Sequence, residues 1–121
     1  MSGSNKLVQY VVVRGDLTKV LQWPTGALIA QACHACTAVT WQYKDDVNTK
    51  DYTKDIDNMH KVVLEAKDEE QLKSISNALT QDKVDHKLWI EQPENYPTCL
   101  VTKPYAKEQI QKYFKKLKLF K

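Results

Sequence analysis

Leu7-Val8-Gln9-Tyr10-Val11-Val12-Val13, closed by Arg14-Gly15-Asp16, is an unbroken apolar and β-branched run that ends in turn formers. A half-exposed strand would alternate apolar and polar residues, so a continuous run reads as a central strand covered on both faces. At seven residues, with Gln9 and Tyr10 inside it, the run is far short of the ~20 that a membrane span needs, and no membrane partner is expected. Beyond a loop holding Trp23-Pro24-Thr25-Gly26, residues 27–44 contain neither Gly nor Pro, and Leu28, Ala32, Cys36, Val39 and Tyr43 recur at helical spacing. A buried strand feeding a long helix opens an α/β unit.

The unit then repeats. Residues 45–59, rich in Asp, Asn and Thr, read as a polar connection or a short exposed helix with little chemistry. Lys61-Val-Val-Leu-Glu-Ala66 is a second strand, and Asp68 caps a helix whose Leu72, Ile75 and Leu79 share one face. Residues 87–91 form a third strand, residues 92–97 a proline-bounded loop, and residues 99–102 a fourth strand, close enough for an antiparallel hairpin. Ile110, Tyr113, Phe114 and Leu117 then predict a last helix over 106–120, with its lysines facing away from that stripe. The expected fold is a three-layer αβα arrangement with a mixed four-stranded sheet, in one domain over 1–121 whose first six residues are flexible.

A chain of 121 residues with 42% hydrophobic and 27% charged positions suits one globular domain and excludes disordered, collagenous and coiled-coil classes. Three cysteines and a polar start without an apolar signal run fit a reducing, cytoplasmic setting rather than a disulfide framework. The net charge of +3 hides an asymmetry: residues 103–121 hold seven lysines against Glu108 alone, so this segment carries +6 and the remainder −3. A basic tail on an acidic body fits a phosphate backbone or an acidic surface as partner; a plain solvated helix face is the ordinary alternative.

Chemistry-bearing residues concentrate in Gly26-Ala-Leu-Ile-Ala-Gln31-Ala-Cys33-His34-Ala-Cys36. Gln31 and His34 are three apart and project from one helix face, above the free N–H groups around Gly26, where an anion could bind. A hydrogen-bonded histidine at the helix border is the ordinary reading of the same pair. Cys33-His-Ala-Cys36 has the C-x-x-C form, but it begins well inside the helix and lacks two further ligands, so redox and zinc roles are set aside and the cysteines read as small core residues.

Arg14-Gly-Asp16-Leu17 after the first strand, followed by Gly26 and by Ala30-Gln31-x-x-His34-Ala35 on a helix, resembles the archaeal and eukaryotic type of peptidyl-tRNA hydrolase, as does Lys118-Leu119-Phe120. Trp23-Pro24-x-Gly26-Ala27-Leu28 together with Leu88-Trp89-x-Glu91-Gln92-Pro93-Glu94-Asn95 looks like a divergent branch of that family, and the likeness spans roughly residues 7–121. The resemblance implies hydrolysis of the ester between a peptide and the terminal ribose of tRNA, with no cofactor or metal and with a homodimer among the possible assemblies.

It also implies a site: His34, Glu91 and Thr98 as catalytic groups, and Gln31, Arg14, Asp16, Gly26, Lys103, Lys112, Lys115 and Lys116 as substrate-binding groups. Two departures stand out. The family's lysine after the glycine that opens the helix is Ala27 here, and the loop after the third strand is shortened, with Glu91 in the place of an aspartate. Arg14, Lys19 or Lys103 could supply the missing cation. A member without that cation could instead bind a tRNA end or a protein without turnover.

Overall fold

The computed structural model describes residues 6–121, so the flexible start expected for residues 1–6 lies, apart from Lys6, outside the described residues. Strand β1 (Leu7–Arg14) is the centre, paired in parallel with β2 (Lys61–Ala66) and antiparallel with β4 (Tyr96–Thr102), whose outer neighbour is β3 (His86–Glu91). Because side chains alternate along a strand, Val8, Tyr10 and Val12 enter one core with Leu72, Leu79 and Phe114, and Val11 and Val13 enter a second with Leu28, Ala35 and Val39. Two cores need two covers, which is why the run carries no alternation.

Helix α2 (Thr25–Gln42) covers the second core, and α4 (Glu69–Gln81) covers the first. Asp68 caps α4 as its sequence position suggests: its carboxylate accepts from Gln71 N–H at 2.9 Å, while Gln71 Oε1 accepts from Lys67 N–H at 2.7 Å. The mixed α/β class holds, but among the described residues the sheet has six strands rather than four. The additional two are two-residue pieces, β5 (Tyr105–Ala106) against the start of β1 and β6 (Lys118–Leu119) against β2. Segments that short carry no periodic signature.

The single helix expected over 106–120 is also corrected. The chain makes one α turn, α5 (Lys107–Ile110), then a 3-10 turn at Gln111–Phe114, and then β6. Ile110 and Phe114 are buried as the stripe suggests, with Phe114 stacked on Tyr10 at 4.3 Å. Lys112, Lys115 and Lys116 would crowd one helical face with like charge, whereas the open edge of β2 offers ladder hydrogen bonds, extended by Phe120 N–H to Val63 O at 3.0 Å. A short helix α1 (Asp16–Lys19) occupies a segment expected to be loop, and α3 (Val47–Lys54) is the short helix, one of the two readings of residues 45–59.

Candidate active site

The C-terminal end of β1, the first half of α2 and the start of β4 converge through a break in sheet register. Trp89 faces Cys99 but Ile90 faces Pro97, so β4 holds one extra residue, a β-bulge at Thr98. A bulge suspends the alternation of side chains and re-aims one of them. Thr98 and Cys99 consequently both reach α2: Thr98 Oγ1 donates to Gln31 Oε1 at 3.1 Å, and Cys99 Sγ donates to the Gln31 carbonyl at 3.4 Å. Burial pushes the Cys99 thiol up to about 12, so it stays a neutral packing group.

This geometry assigns the ends of the Gln31 amide. Gln31 is 4% exposed and its oxygen is taken by Thr98. Among the described residues its N–H2 group has no protein partner, and it is not one of the polar atoms fully shut off from solvent. Thr98, expected among the catalytic groups, is 0% exposed, and its hydroxyl bonds to Gln31.

His34, one turn further along α2, is exposed and stacks on Trp89 at 5.2 Å between ring centroids. The Trp89 indole N–H donates to Glu91 Oε1 at 3.2 Å, so a carboxylate and an imidazole flank one indole. Gly26 lies in the exposed first turn of α2, where an added Cβ would meet nothing within 4 Å. That turn contains no acidic residue, and the start of an 18-residue helix favours negative charge beside it.

Arg14 and Asp16 bind each other. The guanidinium gives Asp16 two bonds, at 3.0 and 2.8 Å, gives a third to the Pro97 carbonyl at 2.9 Å, and lies 4.9 Å from the Tyr96 ring, on which Trp23 stacks. At 3% exposure Arg14 ties β1 to the hairpin and presents no free charge. Neither does Lys103. Its ammonium is held by Asp46 at 2.7 Å and Asp85 at 3.2 Å at the far end of β4, roughly 16 Å along the strand from Thr98. It therefore lies away from Gln31, and the connection expected to be inert supplies one of its partners.

Lys112, Lys115 and Lys116 are exposed, but the segment that bears them packs Ile110 and Phe114 into the α4-side core, on the sheet face opposite Gln31 and His34. Closer to the end of β1, Lys19 binds Glu65 at 2.7 Å and borders, with Lys118 and Lys121, a hollow of about 310 Å³. Cys33 is exposed rather than core, Cys36 half-buried and Cys99 buried. Among the described residues, no group of three or more His, Cys, Asp or Glu side chains is arranged to hold a metal ion, and no helix is long and apolar enough to cross a membrane. The residues missed from sequence are Trp23, Trp89 and Tyr96. The spacing of Trp89 and Glu91, two apart on a strand, was the available sign that they share a face.

A family model described as peptidyl-tRNA hydrolase PTH2 matches residues 7–120. The chain belongs to the PTH2 family. Among its relatives, the mouse protein named "Putative peptidyl-tRNA hydrolase PTRHD1" is 51% identical over 116 residues, covering 95% of this chain and 83% of the relative. The human protein of the same name is 50% identical over the same extent. The family match spans every element that builds the site, from Arg14 on β1 through Gln31 and His34 on α2 to Thr98 on β4.

Proposed function

We propose that this PTH2 family member hydrolyses the ester joining a peptide or N-acyl-aminoacyl group to the terminal ribose of tRNA. The observation that carries the reading is the Gln31 amide, its oxygen pinned by buried Thr98 and its N–H2 left without a protein partner among the described residues, on the helix that also carries the imidazole stacked on Trp89. A fixed amide donor serves the oxygen on which negative charge develops when water attacks an acyl carbon. Its orientation is set before the reaction, and the start of α2 adds to it.

Water bound between His34 and Glu91 gives up its proton to one of them as its oxygen bonds to the carbonyl carbon. The carbon–oxygen bond to the ribose then breaks, the proton passes to the departing ribose oxygen to make its hydroxyl, and the acid formed releases its remaining proton to solvent. The products are a peptide carboxylate and free tRNA. On this reading Lys118 and Lys121, which border a hollow with Lys19 at the edge of β2, meet phosphates of the acceptor end, a sequence-independent grip suited to many tRNAs. The partner on this reading is tRNA, and the setting is translation in the cytoplasm.

The test is release of the acyl amino acid from N-acetylaminoacyl-tRNA by purified protein. His34→Ala and Glu91→Gln should each slow release by at least about tenfold. Ala27→Lys, which adds a cation to the first turn of α2, should speed it by about tenfold or more. No release at micromolar enzyme, by the wild type or by Ala27→Lys, refutes the reading. Salt-weakened tRNA binding without turnover would mark a binding module instead.

A further inference from the structure

Two aromatic stacks border the candidate active site, and one of them has no part in the hydrolysis described above. His34 lies on Trp89. Trp23, from the loop before α2, lies on Tyr96, the first residue of β4, with 5.9 Å between ring centroids and the ring planes 21° apart. Tyr96 and Trp89 both pack on the α2 side of the sheet. Glu91, which accepts from the Trp89 indole and faces Tyr96 across the hairpin, joins the two stacks.

Strained backbone aims these rings. Gln22 and Asn95, the residues immediately before Trp23 and Tyr96, hold φ of 60° and 59°, the left-handed region that residues other than glycine enter at a cost. Asparagine is eased there by its short polar side chain; glutamine gains no such relief. Trp23 N–H donates to the Leu17 carbonyl at 2.8 Å, which holds the turn in place. Strain of this kind clusters at sites that clamp a ligand. Both rings are half-buried and the flanking Gln22 and Pro24 are exposed, so part of the stack stays open to solvent. Arg14 lies against Tyr96, but its charge is taken by Asp16. What the stack offers is a flat, apolar π surface without a free charge, which suits another flat ring and not a phosphate.

We propose that Trp23 and Tyr96 hold the unpaired terminal base of the tRNA by stacking. The inference rests on the hydrolase reading for the identity of its ligand. In that substrate the ester and the last base hang from one ribose, so the base has to lie within one sugar of the carbonyl under attack. Tyr96 precedes Thr98 by two residues, roughly 7 Å along β4, and Thr98 orients the amide proposed to meet that carbonyl. An unstacked base at a single-stranded end presents a π face that an aromatic side chain can cover. Contacts to phosphate leave the register of the RNA free to slide, whereas a stacked last base places the ester at Gln31.

Anisotropy titration of the whole chain with two deacylated tRNAs labelled at the 5′ end, one complete and one lacking its last adenosine, tests it. The complete tRNA should bind about tenfold more tightly. Trp23→Ala and Tyr96→Leu should each remove that preference without weakening the shortened tRNA, and Trp23→Phe should keep most of it. Should Trp23→Ala fail to fold, the indole N–H signals of the wild type decide the matter: that of Trp23 should shift on adding adenosine monophosphate and stay in place on adding ribose 5-phosphate. No binding of either tRNA, equal affinity for both, a preference that survives Trp23→Ala and Tyr96→Leu, or indole shifts confined to Trp41 or Trp89 would overturn the proposal. A preference for the complete tRNA without any acyl release supports the stack and removes the hydrolase reading. Acyl release without the preference removes the stack alone.

Discussion

Replacing Thr98 by Val keeps the shape of a fully buried side chain and removes one hydroxyl, the group that donates to Gln31 Oε1 at 3.1 Å. The amide oxygen, in a residue 4% exposed, is left without its donor, which costs about 1–3 kcal/mol. For a chain of this length one kcal/mol corresponds to about 4 °C in melting temperature, so Thr98→Val should melt about 8 °C below wild type. Gln31→Leu removes the other partner and should cost a similar amount. The double variant should lose less than the two singles summed, by about 1 kcal/mol, because the interaction can be lost only once. Activity separates the partners. Gln31→Leu deletes the proposed oxyanion donor and should lower kcat by about a hundredfold. Thr98→Val keeps the donor but frees its rotation, and Thr98→Ser should recover most of what Thr98→Val loses. Thermal melts and single-turnover release from N-acetylaminoacyl-tRNA measure both. Additive melting shifts, or full kcat in Gln31→Leu, would refute the coupling of bulge, hydroxyl and amide.

Arg14→Lys retains the charge but cannot reproduce the paired bonds to Asp16 together with the bond to the Pro97 carbonyl, so a loss of about 3 kcal/mol is expected at this buried position. A melting temperature within a couple of degrees of wild type would show that the tie between β1 and the hairpin contributes little. At Asp46, burial opposes ionisation, but the hydrogen bonds from Lys103 and from Asn48 N–H outweigh it and hold the carboxyl below its ordinary value of 3.8. A depressed carboxyl pKa stabilises the fold above the ordinary value and loses that contribution as pH falls through the lowered one. Asp46→Asn should therefore be less stable than wild type at neutral pH by about 1–2 kcal/mol, with the gap closing below about pH 4. Urea melts across pH report it, and a gap that widens in acid would contradict the assignment.

Local periodicity made much of the fold readable in advance. The unbroken run at 7–13 announces a strand with two covers, the spacing of Leu28, Ala32, Cys36, Val39 and Tyr43 announces α2, and Asp68 announces the start of α4. Each of these signals lies within a few residues along the chain, where side-chain direction follows from backbone geometry alone. Gln31 and His34 could be picked out for the same reason, as polar groups three apart on one helix face, whereas Glu91 came with the family resemblance.

What stayed out of reach depends on partners far apart in sequence. Thr98 turns toward Gln31 only because one extra residue in β4 breaks the register with β3, and nothing in residues 96–102 alone announces that bulge. Lys103 reads as a free cation until the chain brings Asp46 and Asp85 against it, and Arg14 until the Pro97 carbonyl and Tyr96 close over it. The tail follows the same logic: its stripe of apolar residues is real, but competition between a helix crowded with like charges and an open sheet edge sends the last residues into β6. A side chain's chemistry is written in its identity, whereas whether its charge or hydrogen bond remains available is settled by which distant groups folding packs beside it.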